Sequence, residues 1–248
     1  MPHTMPMSSL DVSSSGTVPS ASALKLAAVR ERLARACEAC GRAVSSVHLL
    51  AVSKTFPADV VRDMYDAGQL AFGENYIQEG VEKIETFKNA GLAAGLAWHC
   101  IGPIQSNKTA IVAAHFDWVQ SIDRLKIAQR LSAQRPAHLP DLQVCVQVNI
   151  DGGQTKSGVS VADATALAVA VNALPRLTLR GLMCIPDPVT SQAEQVAVFS
   201  RATALFKEWQ AVGLPVDTLS MGMSADLEAA VQSGATMVRV GTALFGGR

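Results

Sequence analysis

The sequence predicts an α/β fold and, within that class, a single (β/α)8 barrel. Three observations lead there. Short apolar runs alternate with longer helical patterns from residue 23 to the C-terminus. The runs are near-continuous in Val, Leu and Ala, as strands buried on both faces of a parallel sheet read. They number about eight in a chain of 248 residues, the size of such a barrel. An open doubly wound sheet has the same alternation, and spacing alone leaves both architectures standing.

Each element has its own signal. Met1–Ser22 holds seven serines and three prolines, with no basic segment leading into an apolar one. It reads as a disordered tail and not as a signal peptide. Ala23–Arg42 repeats Leu, Ala and Val at helical spacing, with Arg and Glu between them. Val47–Val52, bounded by Ser46 and Ser53, reads as the first strand. Pro57 suits the first position of a helix, and Gly68 suits its C-terminal cap. Further strands are expected to begin near Leu70, Ala97, Trp118, Leu142, Leu177, Val216 and Thr236. Helical patterns fill Ile77–Lys88, Lys108–Ala114, Arg124–Gln134, Val161–Leu174, Gln192–Val212 and Leu227–Ser233. The expected organisation is a tail over 1–22 and one barrel domain over 23–248.

Composition narrows the function. The 21 basic residues balance 21 acidic ones, which argues against a nucleic-acid partner needing a basic stripe. The most apolar stretches, Gly91–Ile104 and Ala164–Leu174, are too short for a membrane span and are interrupted by His99 and Asn172. Five cysteines without regular spacing or a leader suit a reduced, cytoplasmic protein. Cys37 and Cys40 form a C-x-x-C with no second pair to complete a zinc site, so no metal is expected. His48, His115 and His138 show no ligand spacing.

A barrel places its chemistry just beyond the C-terminal ends of its strands. Those positions hold Ser53-Lys54-Thr55, Gly73-Glu74-Asn75, His99, Asp123, Asn149, Met221-Gly222-Met223-Ser224, Arg239 and Gly241-Thr242. Lys54 follows a buried apolar strand directly. A lysine partly desolvated at a rim loses some basicity and becomes a nucleophilic amine, the group a Schiff base requires. The bland alternative is a solvated loop lysine. Gly222 permits a tight turn, Ser224 suits a helix N-cap, and Val240–Gly246 follows the eighth strand in the same manner. Loops after strands 7 and 8 are where barrels commonly bind phosphate. Arg239 interrupts the apolar run Met237-Val238-Arg239-Val240 and needs a partner, either a carboxylate such as Asp217 or an acceptor on a ligand. No G-x-x-x-x-G-K-[ST], H-E-x-x-H or strand-linked G-x-G-x-x-G is present, and Asp226 spoils a nucleophile elbow at Gly222-Met223-Ser224.

Taken in order, Ala51–Thr55, Phe72–Tyr76, Trp98–Lys108, Gly181-Leu182-Met183, Leu219–Ser224 and Val238–Gly246 resemble the YggS/PROSC family of pyridoxal phosphate homeostasis proteins. The resemblance runs from about Leu24 to Arg248, and its specificity lies in the combination. It implies a barrel like the alanine racemase N-terminal domain (the PLP fold type III) with pyridoxal 5′-phosphate (PLP) as cofactor. It makes Lys54 the Schiff-base lysine. It sets Arg239 at the pyridine nitrogen, Asn75 beside the ring, and Ser220, Ser224, Gly241 and Thr242 around the phosphate.

An arginine at that nitrogen keeps its proton, so the ring stays a neutral and weaker electron sink. Racemases of this fold add a β-domain and a tyrosine base. Here the sequence ends at Arg248, after the eighth strand, and its tyrosines are Tyr65 and Tyr76. The expectation is therefore a monomeric cofactor-binding protein without catalytic residues, buffering PLP or passing it to PLP-dependent apo-enzymes. The rival is a PLP-dependent racemase or lyase using Lys54 as base. Lys108 and Lys156 are weighed as secondary aldehyde-binding amines against ordinary surface lysines.

Overall fold

The computed structural model describes residues 19–153 and 157–247. Residues 1–18 of the expected tail, and Lys156, lie outside the described residues. The first helix, α1 (Ala21–Ala39), starts earlier than its apolar pattern because the Ser20 hydroxyl accepts from the Ala23 N–H at 3.1 Å. Ala21 and Ser22, expected in the tail, therefore belong to the helix.

The chain then alternates as β1 (His48–Val52), α2 (Ala58–Asp66), β2 (Ala71–Glu74), α3 (Ile77–Asn89), β3 (Ala97–Cys100), α4 (Thr109–His115), β4 (Trp118–Ile122) and α5 (Leu125–Gln134). It continues through β5 (Leu142–Asn149), β6 (Val159–Ser160), α6 (Val161–Asn172), β7 (Leu177–Met183), α7 (Gln192–Ala211), β8 (Thr218–Ser220), α8 (Leu227–Gln232), β9 (Met237–Val240) and α9 (Thr242–Phe245). Every strand pairing is parallel, β1 pairs with both β2 and β9, and β4 pairs with β5. The sheet therefore closes, and the open doubly wound alternative falls. All eight expected strands are present.

The extra strand is β6, a two-residue addition that pairs Val148 with Val159 on the edge of β5. It is too short to register as a hydrophobic period. Two caps also differ from expectation. Pro57 is the N-cap of α2 and lies outside the helix. Asp226, not Ser224, occupies the N-cap of α8, because the turn from Met223 runs on for three residues before the helix begins.

The main core lies between the barrel and its helices. Leu26, Val29 and Leu33 of α1 recur at i, i+3 and i+7 and are buried, each contributing about 2 kcal/mol. Phe72, Phe87 and Trp98 form an aromatic cluster outside β2 and β3, with centroids 5.4–6.5 Å apart. Leu50, Ile101 and Met237 form a smaller cluster of their own, with Val52 packed on it. No helix among the described residues is long and apolar enough to cross a membrane. The five cysteines are free, and no group of His, Cys, Asp or Glu among the described residues could hold a metal ion.

Candidate functional site

Strand alternation decides which side chains reach the barrel mouth. On β1, Leu50 and Val52 join the inner cluster, whereas Ala51 joins the outer core. Ser53 continues the ladder through its N–H to the Gly73 carbonyl, and its hydroxyl turns outward to Glu74 at 2.6 Å. Lys54 follows in the turn just beyond the end of β1. Lys54 is half-buried, and its amine has no hydrogen-bond or ion-pair partner among the described residues.

Arg239 lies on the adjacent strand, in register with Leu50, and is 3% exposed. Its partner is not Asp217, which forms a salt bridge with Arg180 at 2.6 Å. The Arg239 guanidinium instead donates through Nη1 to the Ser220 hydroxyl at 2.7 Å and through Nη2 to the Cys184 carbonyl at 2.8 Å. Ser220 in turn donates to Gln120 Oε1 at 2.7 Å, and the Gln120 amide meets His99 Nδ1 at 3.0 Å. A donating Gln120 amide assigns the His99 proton to Nε2. Burial holds the His99 imidazole down to about 3, with His48 adding to the effect, so it stays neutral. Burial also draws Arg239 down from its ordinary value. A polar relay thus crosses the barrel from β3 to β9 through β4 and β8, carrying one guanidinium and no carboxylate.

The other expected site residues lie in the turns that follow the strands. At the end of β8, Gly222 has φ of +88°, and a Cβ there would stand 2.3 Å from the Ala230 methyl. The turn is therefore closed to any side chain. Ser224 follows, half-buried, its carbonyl accepting from Arg32 Nη1 at 2.7 Å. Gly241 and Thr242 open α9 beside β1, where a Cβ on Gly241 would come within 3.3 Å of the Val52 carbonyl. Asn75, half-buried, ends β2 against Gly102, where a Cβ would meet the Asn75 carbonyl at 2.0 Å. A cleft of about 160 Å³ opens there, lined by Asn75, Ile101, Gly102, Gln147 and Ile185. A wider groove of about 560 Å³ lies between α1 and α8 and is lined by none of these residues, although Arg32 on its wall holds the Ser224 carbonyl. Ser220 is fully buried, with its hydroxyl engaged by Arg239 and Gln120.

Sequence reasoning missed Gln120, Cys184 and the group beneath Lys54. That group is Lys83, 3% exposed, which donates to Glu74 at 2.7 Å, Glu79 at 2.6 Å and the Ser53 carbonyl at 2.7 Å. Burial pushes the Glu74 carboxyl up, and Lys83 and Ser53 draw it part of the way back. A signal was available. Lys83 shares the buried face of α3 with Gly80, Val81, Ile84 and Phe87, where a lysine requires a partner. Gln120 likewise interrupts an apolar strand.

Candidate bases are scarce. Tyr65 packs edge-on against Phe87 at 5.9 Å, outside the barrel. Tyr76 is 56% exposed, its hydroxyl without a hydrogen-bond partner among the described residues. Burial lifts the thiols of Cys100, Cys145 and Cys184 to about 12.

A family model described as the alanine racemase N-terminal domain matches residues 24–248. The pyridoxal phosphate homeostasis protein of Escherichia coli (strain K12) is 52% identical over 223 residues, covering 90% of this chain and 95% of that relative. The protein of the same name from Pseudomonas aeruginosa is 56% identical over 224 residues, covering 90% and 94%. Among solved structures, PipY of Synechococcus elongatus, solved with PLP bound, superposes with a TM-score of 0.78 at 37% identity, over 91% of this chain and all of that one. With its closed parallel barrel and its rim motifs, the chain belongs to the YggS/PROSC family of pyridoxal phosphate homeostasis proteins, built on the alanine racemase N-terminal domain fold.

Proposed function

We propose that this chain holds PLP reversibly at the barrel mouth, through a Schiff base on Lys54, and serves intracellular PLP homeostasis. The observation that carries the reading is Arg239. A buried guanidinium held by neutral acceptors, with no carboxylate to balance its charge, is costly, and this one is fixed on the strand beside β1. The residues present fit the cofactor. A lysine without a partner, a buried cation, and hydroxyls and glycines follow adjoining strand ends. The names of the E. coli and P. aeruginosa relatives, and PLP bound in PipY, support the same reading.

When bound, PLP supplies an aldehyde that condenses with an amine. The protein's own groups do the rest. Lys54 offers the amine. Arg239 keeps its proton and would offer it to the ring nitrogen, and Ser220, Gln120 and Cys184 hold its orientation. Ser224 and Thr242 would offer hydroxyls to the phosphate, with Gly241 beside them adding no side chain. Asn75 would stand beside the ring. The part assigned to Ser220 is thus support of Arg239, its hydroxyl being already engaged.

The chain is a cofactor-binding protein and not a turnover enzyme. A two-base racemase needs a second proton acceptor facing Lys54. His99 is neutral and engaged, the buried thiols are protonated, Tyr65 packs outside the barrel and Tyr76 is 56% exposed. Buffering in the cytoplasm by a monomer, with delivery to PLP-dependent apo-enzymes, completes the proposal. So does a single barrel domain preceded by a tail. The test is the visible spectrum of the protein with PLP, before and after borohydride, followed by peptide mapping. A yellow band that becomes a stable adduct on Lys54, and is lost in Lys54→Ala, is expected. An adduct elsewhere, or none, refutes the site. Exchange of amino-acid α-protons would favour the racemase.

A further inference from the structure

We propose that Lys83, Glu74, Glu79 and the strained backbone of Thr55 form a positioning clamp that aims Lys54; the inference rests on the role of Lys54 proposed above. Each residue flanking Lys54 is tied down. The Ser53 carbonyl accepts from Lys83 Nζ at 2.7 Å, and the Ser53 hydroxyl donates to Glu74 at 2.6 Å. The Thr55 N–H donates to Glu79 Oε1, which also accepts from Lys83. Phe56 stacks on Phe245 of α9 with centroids 5.0 Å apart. Lys54 alone in this run has no side-chain partner among the described residues. One buried ammonium therefore holds the carbonyl before Lys54 directly and, through Glu79, the N–H after it, from a helix that takes no other part in the mouth.

Two features mark this arrangement as more than packing. Thr55 sits at φ of +67°, in the left-handed region that β-branched residues avoid. Such strain persists only where the surroundings over-determine it, and it gathers at functional sites. The buried Lys83–Glu74 pair is also an expensive way to fill space. Apolar side chains of similar volume are often as stable, so its contribution is a defined geometry. Held in this way, Lys54 leaves the chain from one fixed backbone position, so the search for the reacting geometry is confined to its side chain.

The test compares Thr55→Gly, Glu79→Ala and Glu79→Gln with the wild type. Hydrogen exchange of the segment 53–56 is followed in protein without PLP, beside melting temperature and the rate of borohydride-trapped Lys54 labelling by PLP. Glycine adopts the left-handed backbone freely, so Thr55→Gly is expected to melt no lower than wild type. It should nevertheless exchange and label differently, with protection of 53–56 falling and labelling slowing, each by about tenfold. Glu79→Ala should do the same, and Glu79→Gln, which keeps an acceptor for the Thr55 N–H, should recover most of the rate. A role confined to stability would make melting and labelling fall together. Wild-type exchange and labelling in both Thr55→Gly and Glu79→Ala overturn the clamp alone. A wild type unlabelled at Lys54 overturns the reading beneath it as well.

Discussion

Protonation of His99 offers the sharpest check on the polar relay inside the barrel. The ring is enclosed, stacked on Trp118 at 4.9 Å, and its Nδ1 is occupied by Gln120. Burial holds it down to about 3, while the unfolded chain leaves histidine at 6.5. A base depressed in the folded state contributes stability that is present above the unfolded value and lost as pH falls toward the folded one. Below 6.5 the unfolded chain takes up a proton that the barrel refuses. One pH unit over that range corresponds to about 1.4 kcal/mol. Acidification from pH 7 to pH 5 therefore removes about 2 kcal/mol through this residue alone. The assay is urea unfolding at pH 7, 6 and 5 for wild type and for His99→Gln, which keeps a polar contact but cannot titrate. The gap between the two proteins should change by about 2 kcal/mol across the series, the wild type losing more. A constant gap would mean that His99 titrates normally in the fold, and the sealed neutral relay would be wrong. Glu74, raised by burial, works in the opposite direction, but it is common to both proteins and cancels in the difference.

Two further substitutions probe the same architecture. Ser220→Ala strands both Arg239 Nη1 and Gln120 Oε1 in the interior, so urea unfolding should show a loss of about 2–4 kcal/mol, with wild-type stability refuting the relay. Lys83→Met leaves the fully buried Glu74 without its cation and should cost about 3–5 kcal/mol at pH 7, less toward pH 4 as the carboxyl protonates. Adding Glu74→Leu should restore most of that loss, and a double variant no better than the single would show that the pair is not energetically coupled.

Much of this protein was legible in its residue order. Strand and helix placement followed from local patterns, because a buried parallel strand must be apolar throughout and a surface helix must repeat at 3.6 residues. Lys54 could be singled out because it directly follows such a strand, and Arg239 because it breaks one. The rim turns were readable from glycine, although the cap of α8 was displaced from Ser224 to Asp226 by a turn that sequence does not measure.

What only the tertiary structure decided are the meetings between distant positions. Closure of the sheet depends on β4 finding β5, and on β1 pairing with β9 from the far end of the chain. Arg239 had two open readings, and folding sends Asp217 to Arg180 while presenting Ser220 and the Cys184 carbonyl in its place. Lys83 shares no local pattern with Lys54, yet it binds the carbonyl immediately before it from α3. Local sequence encodes what each residue prefers as a neighbour, polar or apolar. Which neighbour it obtains depends on chain closure over tens to hundreds of residues, a cost met only when the whole barrel forms together.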